Sequence, residues 1–219
     1  MSTFSEIQQL FPKPLQEIAK ELNYPKSTIC VLSGNEPELI SKYPETHRNI
    51  QSCHHNRDAR SPLQYAMDLA ASWVMEDYII EQLRNNGLIV SRAGEDKERI
   101  ILAGAKVSSN SDCLVELDGK CRKLELMNDY KGYWNRYKKM DLRDDKFIKL
   151  QNEKSLFLGV STSDKKYLLL NFAKEIDAVY NSFHFAYHKP AYSIKVTPNM
   201  LKVLDYSDIA RAIMKEIAQ

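Results

Sequence analysis

The dipeptide Asp118-Gly119 sits between two runs of β-forming residues, Asp112 to Leu117 and Arg122 to Met127. A two-residue type I′ turn needs positive φ at both central positions, which Asp-Gly tolerates, and such a turn fixes the register of the strands it joins. The expected partners are Leu117 with Lys120, Glu116 with Cys121, Leu114 with Lys123, Asp112 with Glu125 and Asn110 with Met127. Two acids then face each other with Cβ atoms about 4.5–5.5 Å apart, and like charges so placed are destabilising unless something offsets them. A bound divalent cation would do so. Side chains alternate with a period of two, so Asn110, Asp112, Lys123, Glu125 and Met127 share a face. Carboxylate oxygens suit Mg2+, which commonly takes one or two of them and completes its shell with water and phosphate oxygen. Such an ion activates an attacking water and stabilises charge on a phosphate, and a nearby lysine can orient that water or neutralise the transition state. The competing reading of the same pattern is a hairpin with one solvated polar face and adventitious acids.

Charge is unevenly distributed. Of a net +2, the segment from Lys120 to Lys149 carries +5 and the remainder −3. Tyr130, Tyr133, Trp134, Tyr137 and Phe147 are interleaved with its cations, a mixture suited to phosphate contacts combined with stacking on bases. A solvated, half-buried helix would have the same composition.

The 219 residues contain no internal repeat and no long Gly/Ser or Pro linker, so the chain reads as one domain over 1–219, with an irregular part at 1–60 that could contact DNA. Leu15, Ile18, Ala19 and Leu22 recur at helical spacing until Asn23-Tyr24-Pro25 ends the pattern. A polar stretch from Asn35 to Arg60 reads as a loop; its His47, Cys53, His54 and His55 lack a matching second pair of zinc ligands. Ser61-Pro62 opens a long helix that Asn85-Asn86-Gly87 closes. It is apolar around most of its circumference, as for a helix packed on a sheet, apart from a stripe of Gln64, Asp68, Ser72 and Glu76 that either sees solvent or aims Glu76 into a cleft. Strands are expected at 87–90, 99–103, 112–117, 122–127, 155–160 and 167–172. Helices are expected at 136–152 and at 207–218, the latter capped by Ser207. This is a mixed α/β layout of the α+β kind, with hairpins in place of a regular βαβ alternation.

Several classes are excluded or disfavoured. No apolar run is long enough to span a bilayer and the first residues do not read as a leader, so a cytoplasmic protein is expected. Four scattered cysteines argue for free thiols, and the register puts Cys113 and Cys121 on opposite faces. No phosphate-loop, dinucleotide-turn or nucleophile-elbow motif occurs. His184 and His188 lie at helical spacing among apolar neighbours and read as a packed pair.

Ser111-Asp112, a hairpin, and then Glu125-Leu126-Met127 resemble the PD-(D/E)xK nuclease motif, and the chain from about Ser61 to Phe172 resembles a type II restriction endonuclease. The resemblance implies a restriction-endonuclease-like mixed central sheet flanked by helices. It also implies a Mg2+-dependent, sequence-specific endodeoxyribonuclease that hydrolyses phosphodiesters in double-stranded DNA. Asp112 and Glu125 match the metal-binding acids, and Glu76 matches a helix carboxylate near the site. Ser111 replaces the motif's proline, and Met127 occupies its lysine position. Either another cation has moved into that role, with Lys123, Lys131 or Lys146 as candidates, or the enzyme works without it, or the motif is degenerate and the protein is a non-catalytic DNA-binding module. Geometry favours Lys123, and its place in the basic segment favours Lys146. Candidates for DNA contact are Lys131, Tyr133, Trp134, Arg136, Lys138, Lys139, Arg143 and Lys146, with Arg57 and Arg60 from the earlier loop. The resemblance further implies a homodimer whose two-fold axis matches a palindromic target, with a companion DNA methyltransferase as a possible part of the same system.

Overall fold

The computed structural model describes residues 3–53, 59–94, 96–103 and 111–219. Chain contacts divide it into two compact units, Met1–Glu81 with Ala93–Asn110, and Gln82–Arg92 with Ser111–Gln219. Among the described residues no helix is long and apolar enough to cross a membrane.

The first unit is helical: α1 (Thr3–Gln8), α2 (Leu15–Glu21), α3 (Lys26–Ser33), α4 (Glu36–Lys42), α5 (Pro44–Cys53) and α6 (Pro62–Asn85) as far as Glu81. The α2 pattern ends where Asn23 takes a φ of +58°, as its turn residues imply. The stretch from Asn35 is not the loop expected of its polarity. Asn35 accepts a hydrogen bond from the Glu38 amide at 3.2 Å and so caps α4, after which Pro44 opens α5. The polar stripe of α6 is also not a solvated one. Asp68 is buried, accepting from the Phe4 amide at 2.8 Å and Arg60 at 2.8 Å, while Glu76 pairs with Arg99 at 3.1 Å.

Arg99 organises this unit. Instead of beginning a strand at 99–103, it turns back with a φ of +54° and is only 2% exposed. Its guanidinium donates to both oxygens of Asp77, at 2.8 and 3.1 Å, and lies within 3.3 Å of Asp96. Tyr24 donates to Asp77, Trp73 donates to Asp96 at 2.8 Å, and Thr28 donates to the Arg99 carbonyl at 2.6 Å. Burial opposes the charge on Arg99, but hydrogen bonding to Asp77 and the fields of Glu76 and Asp77 outweigh it and raise its pKa.

In the second unit the register set by Asp118-Gly119 is the one observed. With φ of +50° and +76° at the two turn residues, β2 (Cys113–Leu117) pairs antiparallel with β3 (Lys120–Asp129) from Leu117↔Lys120 to Cys113↔Leu124. The Asn110–Met127 pairing lies outside the described residues. β1 (Ile89–Arg92) extends the sheet beside β2, while β3 pairs parallel with β5 (Leu156–Ser161), followed by β6 (Lys166–Asn171) and β9 (Lys202–Val203). The result is a mixed sheet with helices, an α+β architecture. The terminal helix α9 (Tyr206–Ala218) buries Ile209, Ala210, Ile213 and Ile217 as its spacing implies. Its cap is Asp205, which accepts from the Ser207 and Asp208 amides, not Ser207.

The connection between the parallel pair departs from the single helix expected over 136–152. It comprises α7 (Tyr133–Tyr137), β4 (Lys139–Arg143) and α8 (Asp144–Asn152). Gly132 and Lys138, both left-handed, bracket α7, and Arg143 enters α8 in an extended conformation. β4 joins β8 (Lys189–Lys195) and β7 (Ala178–His184) in a three-stranded antiparallel sheet. The apolar face of this sheet, with Met140, Leu142 and Ile194, packs with Phe147 and Leu150 of α8 and with Phe157 and Leu168 of the larger sheet. The Trp134 ring lies over Gly159, where an added Cβ would stand 2.8 Å from the indole.

Two stability effects follow. Arg99→Ala should destabilise the protein by about 3–5 kcal/mol, because it strands buried carboxylates. Gly159→Ala should cost about 1–3 kcal/mol through overpacking against Trp134. Urea unfolding followed by circular dichroism measures both.

Candidate active site

Asp112 immediately precedes β2, and its Oδ2 accepts a hydrogen bond from the Leu126 amide at 2.7 Å. That bond ties the open end of the hairpin to β3 and brings the carboxyl up to Glu125, one step beyond the last ladder pair at Cys113 and Leu124. Glu125 is only 6% exposed, because its strand is covered by β2 on one side and β5 on the other. Its Oε1 is ion-paired with Lys146 of α8, and its Oε2 is buried with no hydrogen-bond donor among the described residues. Burial foremost, then the charge of Asp112, push the Glu125 carboxyl up to about 8, against the opposing pull of Lys146.

Of the candidate lysines, then, Lys146 is the one the fold brings to Glu125. Lys123 is held elsewhere, by Glu153 at 2.7 Å, a carboxylate that also accepts from Ser111 at 3.3 Å. Alternation along β3 points Lys123 to the face of Glu125, but Glu153 just beyond α8 captures its ammonium. The Lys131 side chain is exposed, while its amide donates to Asp129 at 3.1 Å. Met127 lines a cavity of about 230 Å³ together with Glu125, Lys146, Arg143, Leu142, Phe157 and Tyr187. Glu76 is engaged in the first unit by Arg99.

The expected DNA contacts separate into groups. Trp134 is 3% exposed and belongs to the core, which corrects its expected role. The Tyr133 hydroxyl donates to Asp141 at 3.0 Å. Arg136 and Lys138 are exposed, the latter donating to Asn135 at 2.9 Å. Lys139 is 3.1 Å from Asp141, and Arg143, at the cavity rim, is 3.4 Å from Asp145. Arg60 in the first unit pairs with Asp68 and lies over the Tyr65 ring. Arg57, His54 and His55 lie outside the described residues, and His47 is 3.4 Å from Glu36. Cys113 is buried and Cys121 exposed, as their opposite faces imply.

Tyr187 was not legible as a site residue. It reaches the cavity wall because its hydroxyl donates to the Asp141 carbonyl at 2.9 Å, a contact from the β7–β8 turn to β4 with no signature in sequence spacing.

Among the described residues no cluster of three or more His, Cys, Asp or Glu side chains forms a metal cage. The donor set nevertheless fits a hard divalent ion. Two carboxyls meet at one point, one buried oxygen lacks a donor, and Mg2+ needs only one or two protein carboxylates when water and phosphate supply the rest.

No family model matches the sequence, and no curated protein matches it. Among solved structures, the chain is similar to Hjc of Archaeoglobus fulgidus, a Holliday junction resolvase from an archaeal hyperthermophile. The similarity has 15% identity and a TM-score of 0.37, and covers 62% of this chain and 96% of that one.

Proposed function

We propose that this protein is a divalent-cation-dependent nuclease that hydrolyses phosphodiesters in DNA. The observation that carries the proposal is the meeting of Asp112, buried Glu125 and Lys146 beside a small open cavity. The resemblance of Ser111-Asp112 and Glu125-Leu126-Met127 to the PD-(D/E)xK motif supports the same reading.

In this reading Asp112 and Glu125 would hold Mg2+ through carboxylate oxygens, and the ion when bound would acidify the attacking water and stabilise charge on the phosphate. Asp112 is positioned by its bond to the Leu126 amide, and Glu125 by its place between two strands. Lys146, with an ammonium that has no lone pair while protonated, acts as a donor: it orients the attacking water or bonds a non-bridging phosphate oxygen in the transition state. Arg143 at the rim offers a forked donor for an adjacent phosphate. The finer form of the proposal is a type II restriction enzyme cutting duplex DNA at a specific sequence as a homodimer, with a companion methyltransferase protecting the same site. It rests on the sequence resemblance and on the basic segment from Lys120 to Lys149. The alternative, a DNA-binding module with a degenerate motif, has Met127 in its favour. It gives no account of why Lys146 is drawn to Glu125.

Incubating the protein with unmethylated phage DNA should give cleavage with Mg2+ and none with EDTA. Asp112→Ala should abolish cutting while leaving DNA binding, read by gel shift, within a few fold of wild type. Discrete bands would mark sequence specificity, and intact DNA across metals and salts would favour the binding module.

Lys146→Ala should lower the cleavage rate by about 10²–10³, the range for removing one transition-state hydrogen-bond donor, whereas Lys123→Ala should change it by less than about threefold, a surface effect. Adding Met127→Lys to Lys146→Ala returns an ammonium to the same cavity wall and should recover part of the lost rate. A rate that stays at the level of Lys146→Ala would show that the cavity does not exchange one ammonium position for the other.

A further inference from the structure

The hairpin formed by β7 and β8 is exposed in a way that the core does not require. Residues 178–195 contain five aromatic side chains, two histidines, two lysines and no acid. Phe183 is 61% exposed and Phe185 82%, with Val179 and Tyr180 of the same strand also open to solvent. A phenylalanine at a hairpin tip gains nothing from water, and a polar residue would serve the turn equally well. The two rings are not scattered. Each lies about one ring-contact distance from His188, with centroids at 6.1 Å for Phe183 and 5.9 Å for Phe185, so the tip presents a small aromatic platform.

The platform stands on a fixed base. The ladder continues to His184↔Lys189, and behind it His184 lies 3.2 Å from Asp141 while the Tyr187 hydroxyl donates to the Asp141 carbonyl. Ser193 donates to the same carboxylate at 2.5 Å. Asp141 of β4 is therefore saturated, and it neutralises little beyond its own partners.

The sheet face that bears Asp141 also carries Lys139, Lys195 and Arg143. Lys139 and Lys195 are direct cross-strand partners; Lys139 is paired with Asp141 at 3.1 Å, and Lys195 is exposed. Arg143 follows on the same face two positions beyond Asp141 and reaches the cavity that holds Glu125 and Lys146. Tyr187, next to the platform, lines that cavity too. Tyr187 thus joins the aromatic tip to the wall of the candidate site, and Arg143 joins the cationic face to it.

We infer that the β7–β8 hairpin is a nucleic-acid-binding arm, in which Phe183 and Phe185 lie against bases and Lys139, Lys195 and Arg143 follow the phosphate backbone leading to the site. Rings supply contact with any base and cations supply contact with phosphate, which is the combination that distinguishes a nucleic acid from an apolar protein partner. The inference rests on the proposed nuclease reading and adds to it the surface that engages the substrate.

The test uses the full chain in EDTA, with fluorescein-labelled 30-base DNA as duplex and as single strand, read by anisotropy over a series of salt concentrations. The doubly substituted protein Phe183→Ser/Phe185→Ser should bind about tenfold or more weakly to at least one of the two DNA forms, with an unchanged salt slope, since stacking and not charge is lost. Lys195→Gln should lower the salt slope by about one unit. Both sites are on the surface, and thermal melting checks that folding is kept. Unchanged affinity in the double variant, with Mg2+-dependent cleavage by the wild type intact, overturns the arm and leaves the nuclease reading standing. Absence of both binding and cleavage in the wild type overturns the nuclease reading and the arm with it. A wild-type dimer that the double variant converts to monomer, with DNA affinity unchanged, reassigns the tip to contact between two copies of the chain and overturns the inference.

Discussion

Strand pairing admits shifts only in whole residues, and each single step exchanges the two faces of a strand. The turn at Asp118 and Gly119 removes that freedom from β3. If β3 slipped by one residue, Glu125 would rotate away from Asp112, and Leu124 or Leu126 would take its place beside Lys146. The bond from the Leu126 amide to Asp112 fixes the opposite end, so that the hairpin is held both at its closed tip and at its mouth. The parallel pairing of Glu125 with Phe157 on the next strand then transmits that register into the core.

The electrostatics of Glu125 show which effect prevails. An ammonium in contact with a carboxylate ordinarily lowers its pKa, yet here the carboxyl is pushed up. Burial and the neighbouring acid together outweigh one lysine. The pair of acids is thus undercompensated by the protein itself, and a divalent ion supplies the kind of charge that would balance them. The contrast with Arg99 in the helical unit is instructive. There, several carboxyls converge on one guanidinium and satisfy it, with hydrogen bonds on every nitrogen edge, and the result is a closed structural ion cluster.

Much of this was legible where local chemistry decides. The Asp-Gly turn, the long helix from Pro62, the strands β1, β2, β3, β5 and β6 of the larger sheet and the apolar stripe of α9 all follow from short-range residue patterns, whereas the two-residue β9 does not. The segment after β3 was not, because its helical spacing is broken by the left-handed Lys138, and β4 forms only when β8 arrives to pair with it. The packed pair expected of His184 and His188 is not formed, since His184 ends β7 beside Asp141 and His188 sits in the exposed turn before β8. At the candidate site, the approach of Asp112 to Glu125 could be read from the chain. The choice of Lys146 over Lys123 could not, since it turns on Glu153 capturing one ammonium and α8 delivering the other. Trp134 looked like a stacking residue for want of any sign that Gly159 leaves room for an indole.

The placement of Lys146 has a bearing on how such sites diverge. In a linear pattern the acid and the lysine are neighbours on one strand, so that a change in either is visible to a scan of the sequence. Here the carboxylate is carried by β3 and the ammonium by α8, with a strand and a helix between them. Under the nuclease reading proposed above, position 127 would be released to be a wall, and the cationic role would fall to a helix whose own sequence has no obligation to resemble the strand. Such a relocation would keep the spatial arrangement while erasing the text that announces it.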